Sequence, residues 1–134
     1  MSLVQWIDFP LRGDDRGSLI AIEGACNVPF DIKRIYYILD TKAGASRGFH
    51  AHKALKQVAF CVSGRCRMRL DDGVQQQDVW LDSPDRGIFI DTMVWRTMHD
   101  FSQDCVLVVL ASAHYDESDY IRDYDEFLKQ RAAI

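Results

Sequence analysis

Two of the chain's four histidines, His50 and His52, lie one residue apart in the stretch RGFHAHKALKQ. If this stretch forms a β-strand, both imidazoles project from one face, because side chains alternate sides along a strand. Two neighbouring imidazoles are typical ligands of a divalent metal ion. Histidine also carries protons near neutral pH, since its unperturbed pKa is about 6.5. The pair therefore indicates a metal site or another kind of functional site, and the residues around it are needed to distinguish the two.

The spacing around the histidine pair resembles the first sequence motif of the cupin superfamily. Gly44, His50, His52 and Gln57 fall at the intervals of that motif. In metal-binding cupins the position of Gln57 is a glutamate, and a histidine from a second motif provides the fourth ligand. The segment DTMVWR places Arg96 at that fourth position.

These two positions argue against a cupin metal site. The neutral amide of Gln57 is a weaker ligand for a divalent ion than a carboxylate. The guanidinium of Arg96 stays protonated and repels a cation. We therefore expect no bound metal and no cofactor. Two interpretations of the histidine pair remain: core histidines bonded to backbone carbonyls, or part of a binding site inside a barrel.

The four residues Arg-Gly-x-His that end at His50 resemble the active-site motif of dTDP-4-dehydrorhamnose 3,5-epimerases, which are metal-free cupin-fold enzymes. A closer resemblance covers about residues 14–127. The blocks that carry it are DxRGSLIAIE, IKRIYYILDTK, RGFHAHKALKQV, LDDG, LDSP, VWxxMHDFSxDCVLVVLAS and YDExDYIRDYDEF. On these blocks the chain is identified as a member of the sugar 3,4-ketoisomerase family. One departure is Arg96, where related sequences often have a second histidine after the tryptophan.

This resemblance implies a carbonyl migration on a dTDP-linked 4-keto-6-deoxyhexose. The C3 proton leaves, an enediol forms, and reprotonation at C4 leaves a 3-ketone, which is a precursor of 3-amino-3,6-dideoxyhexoses for surface polysaccharides. By motif, His50 is the expected base, and His52 orients it, relays protons or returns one at C4. Tyr36 and Tyr37 point to opposite faces of a strand, so only one enters the barrel. The family favours Tyr37 as the proton donor.

Other residues are candidates for binding the nucleotide sugar. The diphosphate requires guanidinium or ammonium groups, and the motif assigns this role to Arg47, with Lys53 and Arg34 as weaker candidates. The remaining candidates for substrate binding are Arg16, Gln57, Trp95 and His99. Trp95 could equally be a core residue, and Arg34 could equally be a solvent-exposed strand residue. The family links the Arg16-Gly17 turn with the configuration at C4, and this pair favours the galacto over the gluco product.

The elements that must position these residues are mostly strands. Turn signals recur about every eight to twelve residues, which is the spacing of a sandwich or barrel. Asp72-Gly73 lies between two strand-like runs, a strong hairpin signal, and CVLVVLAS is typical of a buried strand. About eight or nine strands without βαβ alternation predict an all-β fold, a cupin-type jelly-roll barrel.

The C-terminal segment DESDYIRDYDEFLKQRAA is the exception. Tyr120, Tyr124 and Phe127 follow a helical spacing. Asp116 or Ser118 is expected to cap the start of the helix, and basic residues lie near its end. The sequence predicts one short α-helix packed on the outside of the barrel.

Composition limits the remaining possibilities. A chain of 134 residues, 48% hydrophobic and 27% charged, predicts a single domain over residues 1–134. A net charge of −4 argues against a nucleic-acid partner. No apolar run approaches the roughly 20 residues of a membrane span, and MSLVQWIDFPL does not follow the pattern of a secretory signal, so we expect a cytoplasmic protein. The family implies a homodimer, often with an exchanged N-terminal strand, for which VQWIDF is suitable.

The four cysteines, Cys26, Cys61, Cys66 and Cys105, contain no C-x-x-C pair. In a cytoplasmic protein we expect them to be buried free thiols rather than a disulfide or a metal pair. Cys61 and Cys66 flank Ser63-Gly64, so a hairpin at that turn would let them face each other.

Three other functions remain open at this point. A dTDP-4-keto-sugar 3,5-epimerase would use the same His50 and exchange protons at C5 as well as C3. A non-catalytic sugar-binding cupin would bind the dTDP-sugar without turnover. A metal-dependent cupin dioxygenase would need an ion at His50 and His52.

Overall fold

The computed structural model describes residues 2–134, which contain twelve β-strands and one α-helix. The first six strands are β1 (Gln5–Asp8), β2 (Leu11–Asp14), β3 (Gly17–Ile20), β4 (Arg34–Ile38), β5 (Arg47–His52) and β6 (Gln57–Ser63). The next six are β7 (Cys66–Asp71), β8 (Gln76–Leu81), β9 (Arg86–Ile90), β10 (Trp95–His99), β11 (Val106–Ala111) and β12 (Tyr120–Ile121). The helix α1 spans Tyr124–Ala132.

Two five-stranded antiparallel sheets form the body of the fold. Their strand orders are β1-β9-β6-β11-β4 and β12-β5-β10-β7-β8, while β2 and β3 pair only with each other. Apolar side chains from both sheets share one core, for example Ala59 and Leu107 from the first and Met68 and Leu70 from the second. The prediction of an all-β jelly roll is confirmed, with more and shorter strands than expected.

The alternation of residues along β7 shows how the sequence builds this core. Cys66, Met68 and Leu70 are buried, whereas Arg67 and Arg69 lie on the outer face. Both arginines form ion pairs there with Asp78. Because side chains alternate sides, one strand supplies both the core and a solvated face.

The turns at the two ends of β7 have different roles. The hairpin predicted at Asp72-Gly73 is confirmed, because β7 pairs with β8 across it and Gly73 has a φ of 91°. The other turn, Ser63-Gly64, is not a hairpin. Strand β6 pairs with β9 and β11, and β7 pairs with β8 and β10, so this turn leads from one sheet to the other. The expected contact of Cys61 with Cys66 therefore occurs between sheets.

The C-terminal helix is shorter than predicted. Asp116 caps only a 3-10 turn at Glu117–Asp119, and the following residues form β12, which pairs with β5. The helix begins after Asp123, whose carboxylate accepts the backbone N–H of Glu126. Pairing with β5 outweighs the helical spacing in this segment, because it satisfies backbone groups beside a buried strand. No helix within residues 2–134 is long and apolar enough to cross a membrane.

Candidate active site

A cavity of about 380 Å³ opens where β4, β5 and the segment around β12 meet. Its lining is rich in aromatic and basic side chains. The lining residues are Arg34, Tyr36, Ile38, Arg47, Gly48, His50, Met98, Tyr115, Tyr120 and Arg122.

A β-bulge in β5 shapes one wall of this cavity. In the pairing of β5 with β10, Arg96 lies opposite His50 and Thr97 opposite Gly48, so Phe49 is the extra residue. Phe49 has a φ of 58° and Gly48 a φ of 93°. A Cβ on Gly48 would lie 2.9 Å from the carbonyl oxygen of Arg96, so only glycine fits there without displacement.

The bulge explains why both Arg47 and His50 line the cavity. In a regular strand, residues three apart point to opposite faces. The additional residue restores a common face for the guanidinium and the imidazole. This brings the guanidinium of Arg47 and the imidazole of His50, both predicted site residues, into one cavity.

His50 is buried, and neither of its ring nitrogens has a hydrogen-bond partner among residues 2–134. Burial, and next the charge of Arg96, lower the pKa of His50 to about 4. The ring is therefore neutral at pH 7 and carries one free lone pair. An unpartnered buried imidazole is costly in a core position, which favours a role toward a ligand over the interpretation as a core histidine.

His52 is held by Asp119. The Nδ1 of His52 lies 3.0 Å from Oδ2 of Asp119, and burial followed by the charge of Arg96 lowers the pKa of His52 to about 2. The ring is therefore neutral, and because a carboxylate only accepts hydrogen bonds, Nδ1 carries the proton. The other nitrogen, Nε2, is an acceptor, and it is buried without a partner in the part of the chain that the structure describes.

Asp119 is itself fixed by the backbone. Its carboxylate accepts the N–H groups of Ala54 at 2.8 Å and Leu55 at 3.2 Å, in addition to the imidazole. Tyr120, the next residue, pairs with His52 through β12. The Tyr120 ring centroid lies 5.0 Å from that of His50 and 4.4 Å from that of His52. The C-terminal segment thus closes over both histidines.

The tyrosine that enters the barrel is Tyr36, so the choice of Tyr37 was wrong. Tyr37 is 63% exposed on the outer face of β4, whereas Tyr36 lines the cavity. The register of β4 against β11 determines which of the two faces inward. The Tyr36 oxygen accepts a hydrogen bond from Nε2 of Gln57 at 3.2 Å, which leaves the phenolic proton free for a ligand. Burial raises the pKa of Tyr36.

Arg96 lies inside the barrel and is fully buried. Its guanidinium donates hydrogen bonds to the Gln57 side chain and to the backbone oxygen of Val94. Burial lowers its pKa to about 10, so it stays charged at pH 7. A buried cation next to the two histidines favours an anion and disfavours a metal ion. The residues present therefore do not fit the metal site of metal-binding cupins.

Comparison with known proteins identifies the family. The family model "FdtA: WxcM-like, C-terminal" matches residues 2–132. A TDP-4-oxo-6-deoxy-α-D-glucose-3,4-oxoisomerase from Aneurinibacillus thermoaerophilus is 57% identical over 128 residues, covering 96% of this chain and 92% of that protein. This chain belongs to the sugar 3,4-ketoisomerase family. It is accordingly an isomerase.

Solved structures of sugar 3,4-ketoisomerases have the same fold. A His-to-Asn mutant of the 3,4-ketoisomerase QdtA from Thermoanaerobacterium thermosaccharolyticum, in complex with TDP-4-keto-6-deoxyglucose, is 41% identical with a TM-score of 0.96, covering 99% of this chain and 96% of that one. A 3,4-ketoisomerase from Helicobacter canadensis is 47% identical with a TM-score of 0.93, covering 96% and 97%.

Two residues predicted to bind substrate in this ketoisomerase lie on the outer face of the second sheet. Trp95 packs against α1, with its ring 5.7 Å from that of Phe127. His99 bonds to Ser46 at 2.9 Å and to Thr97 at 2.7 Å. Both predictions are wrong for the His50 cavity, because alternation along β10 turns these side chains away from the barrel while Arg96 points into it.

Two further candidates are not brought to the cavity within this chain. Lys53 is exposed and donates to the backbone oxygen of Ser118 at 3.3 Å. Arg16 lies at the tip of the β2–β3 hairpin, where its side chain is 87% exposed and pairs with Asp14 at 2.6 Å. Arg47 and Gln57, in contrast, lie at the site as predicted.

Sequence reasoning missed Tyr120 and Arg122, which line the cavity of the ketoisomerase, and Asp119, which bonds to His52 behind it. Arg122 lies 4.2 Å above the Tyr120 ring and donates to Glu117 at 2.7 Å. The sequence predicted a helix throughout this segment, with Tyr120 on the face packed against the outside of the barrel, and such a helix does not bring these residues to the cavity. The alternation of Tyr120, Ile121 and Arg122, with Ile121 buried, is the signal that identifies a short strand.

Proposed function

We propose that this protein converts dTDP-4-keto-6-deoxyglucose to dTDP-3-keto-6-deoxyhexose of the galacto configuration, by metal-free acid–base catalysis. The observation that supports this most strongly is the neutral, unpartnered His50 in a cavity that also contains Arg47 and Tyr36. The reaction needs a base, a cation for the diphosphate and a proton donor near the sugar oxygens. The activities of the related ketoisomerases support the same substrate class.

In this mechanism His50 removes the C3 proton, exchanges it with solvent and then protonates C4. The Nε2 of His52 accepts the proton of the C3 hydroxyl and donates it to the C4 oxygen, so that the carbonyl moves from C4 to C3 with no net change in atoms. Arg96 and the Tyr36 hydroxyl stabilise the developing enediolate charge. The negative charge of the bound diphosphate offsets the nearby guanidinium groups and raises the pKa of His50 toward the working pH.

We propose further that two copies form a homodimer in which an N-terminal segment is exchanged. The segment VQWIDF, which was expected to be exchanged, contains β1, which pairs with β9 of its own chain, so we assign the exchange to the β2–β3 hairpin that follows it. Strand β4 lies at an edge of its sheet, and its outer face exposes Ile35 and Tyr37. The β2–β3 hairpin pairs with no other strand and exposes Leu11 and Leu19. Docking of one copy's hairpin on the other copy would cover these apolar side chains and would carry Arg16 toward the partner's cavity, where it would govern the configuration at C4.

We also infer the cellular location of the protein and the later use of its product. We place the protein in the cytoplasm, and the free state of its cysteines fits a reducing compartment. The product would then be aminated and acylated for a surface polysaccharide.

The test is NMR of the product formed from dTDP-4-keto-6-deoxyglucose in deuterated water, with and without a chelator. We expect a 3-keto sugar with deuterium at C4. The H4–H5 coupling constant of the product formed in a parallel reaction in ordinary water distinguishes galacto from gluco. Deuterium at C5 would instead indicate a 3,5-epimerase, and binding without product a non-catalytic sugar-binding protein. Loss of activity with chelator would overturn the metal-free mechanism.

A variant separates binding from chemistry. His50→Asn should abolish turnover and leave dTDP affinity, measured by calorimetry, unchanged. Substantial residual turnover would transfer the role of the base to His52.

For the dimer, sedimentation analysis should give two chains per particle for the wild type and a monomer for Leu19→Asp.

A further inference from the structure

Three buried thiols meet at the end of the barrel away from the catalytic cavity. Sγ of Cys61 lies 3.8 Å from Sγ of Cys66 and 3.7 Å from Sγ of Cys105. All three sulfur atoms lie within 4.8 Å of one another. Within residues 2–134, no other group of three or more His, Cys, Asp or Glu side chains brings its ligand atoms this close together. The thiols come from both sheets and from the loop that precedes β11.

The distances match those of a thiolate metal site. Zinc–sulfur bonds are about 2.3 Å long, so two thiolates of a tetrahedral site lie about 3.8 Å apart. We propose that Cys61, Cys66 and Cys105 bind one thiophilic d¹⁰ ion of the Zn²⁺ and Cd²⁺ class. The bound ion fastens the two sheets and the loop before β11 to one another through three thiolate bonds.

This thiol site is separate from the catalytic cavity. Cys61 lies four residues along β6 from Gln57, and Cys66 lies four residues along β7 from Leu70, which pairs with Arg96. At about 3.3 Å per residue, each separation is about 13 Å. An ion at the thiols therefore contacts neither histidine, and its binding is compatible with metal-free chemistry at His50.

The ion can reach the thiols through the loop over Cys105. Residues 101–104 are half-buried or exposed. Two backbone-linked bonds hold this loop against the turn before β7: the N–H of Arg65 donates to Oγ of Ser102, and the N–H of Ser102 donates to the oxygen of Arg65, each at 2.9 Å. Opening of this loop, which breaks these two bonds and releases Phe101 from the core, gives the ion a route to Cys105.

Binding of the ion replaces the thiol protons with metal–sulfur bonds, because the thiolate and not the thiol is the ligand. A divalent ion on three thiolates leaves a net charge of −1, which is far less costly in a core than separate thiolates.

The experiment is a Cd²⁺ titration of the protein reduced with a non-thiol reductant, followed by the thiolate-to-cadmium charge-transfer absorption. We expect a band that saturates at one ion per chain. Cys61→Ser, Cys66→Ser and Cys105→Ser should each lose most of this band, while Cys26→Ser, which removes the exposed thiol, and His52→Asn should retain it. Corresponding alanine variants replace any serine variant that does not fold, as judged by circular dichroism.

Stability provides an independent readout. At a free Zn²⁺ or Cd²⁺ concentration about 100 times the dissociation constant, Tm should rise by about 10 °C for a chain of this length. The rise should be absent in Cys61→Ala and present in Cys26→Ser. Absence of a charge-transfer band in the wild type, a band that persists in Cys61→Ala, or a Tm that does not change with the ion would overturn the proposal.

Discussion

Asp119 is expected to act on catalysis through His52, and Asp119→Asn tests this. The carboxylate accepts the Nδ1–H of His52 at 3.0 Å and the N–H groups of Ala54 and Leu55 at 2.8 and 3.2 Å. An asparagine has only one accepting oxygen, so at least one of these donors loses its partner or His52 changes its tautomer.

The magnitude follows from the hydrogen bond that fixes the tautomer. A hydrogen bond to a charged group is worth about 1.5–3 kcal/mol, and about 1.4 kcal/mol corresponds to a factor of ten. If Nε2 of His52 must be the unprotonated nitrogen, Asp119→Asn should lower kcat by about 10- to 150-fold. KM should change little, because Asp119 does not line the cavity. The unpaired donor should lower the free energy of unfolding by about 1–3 kcal/mol.

The assay combines steady-state kinetics with ¹⁵N NMR of the imidazole, which shows whether Nδ1 or Nε2 carries the proton. Asp116→Asn is the matched control, since Asp116 caps the same 3-10 turn through Ser118 and does not contact His52. A kcat of Asp119→Asn that equals that of the control, or an unchanged tautomer together with a large loss of kcat, would refute this role.

Three more predictions follow from the site. Tyr36→Phe should lower kcat by at least about 100-fold, while Tyr37→Phe leaves kcat unchanged; equal effects in steady-state assays would contradict the inward placement of Tyr36. Because the pKa of His50 falls from 6.5 to about 4 on folding, the unfolded chain binds more protons between these values. The contribution of His50 to the free energy of unfolding should therefore decrease by about 3 kcal/mol as the pH drops from 6.5 to 4, in addition to that of His52, whose pKa falls to about 2; urea titrations should show a pH dependence that is smaller by the His50 share in His50→Asn. Gly48→Ala should cost about 1–3 kcal/mol of stability, since its φ is 93° and the new Cβ meets the Arg96 oxygen; urea-induced unfolding that coincides with the wild type would show that the bulge relaxes.

Local patterns predicted much of the fold. The alternation in β7 and the Asp72-Gly73 turn each depend on interactions between near neighbours, so the sequence shows them directly. The turn at Ser63-Gly64 carries the same kind of signal but leads into the other sheet. A turn can join two paired strands of a hairpin or lead from one sheet to the other. Which of these occurs depends on long-range strand pairing, which the turn residues do not determine.

The same distinction between local sequence patterns and long-range strand pairing applies to the site. The common face of His50 and His52 follows from strand alternation, and their neutral state from burial among basic residues. Alternation also predicts that one of Tyr36 and Tyr37 enters the barrel, but only the register of β4 against β11 shows which one. The helical spacing of Tyr120 with later residues is genuine, yet the segment pairs with β5 because backbone hydrogen bonds to a buried strand outweigh a marginal helical preference.

The bulge at Phe49 makes the length of the Arg-Gly-x-His motif as important as its composition. The side chain of Phe49 is half exposed and packs on the outer face against His99, so many substitutions should be tolerated there, except the β-branched residues and proline that its φ of 58° disfavours. A deletion there would turn either the arginine or the histidine outward and would remove one function entirely. The identity of the residue at the third position of the motif is therefore less constrained than the length of the motif, because a residue must be present at that position.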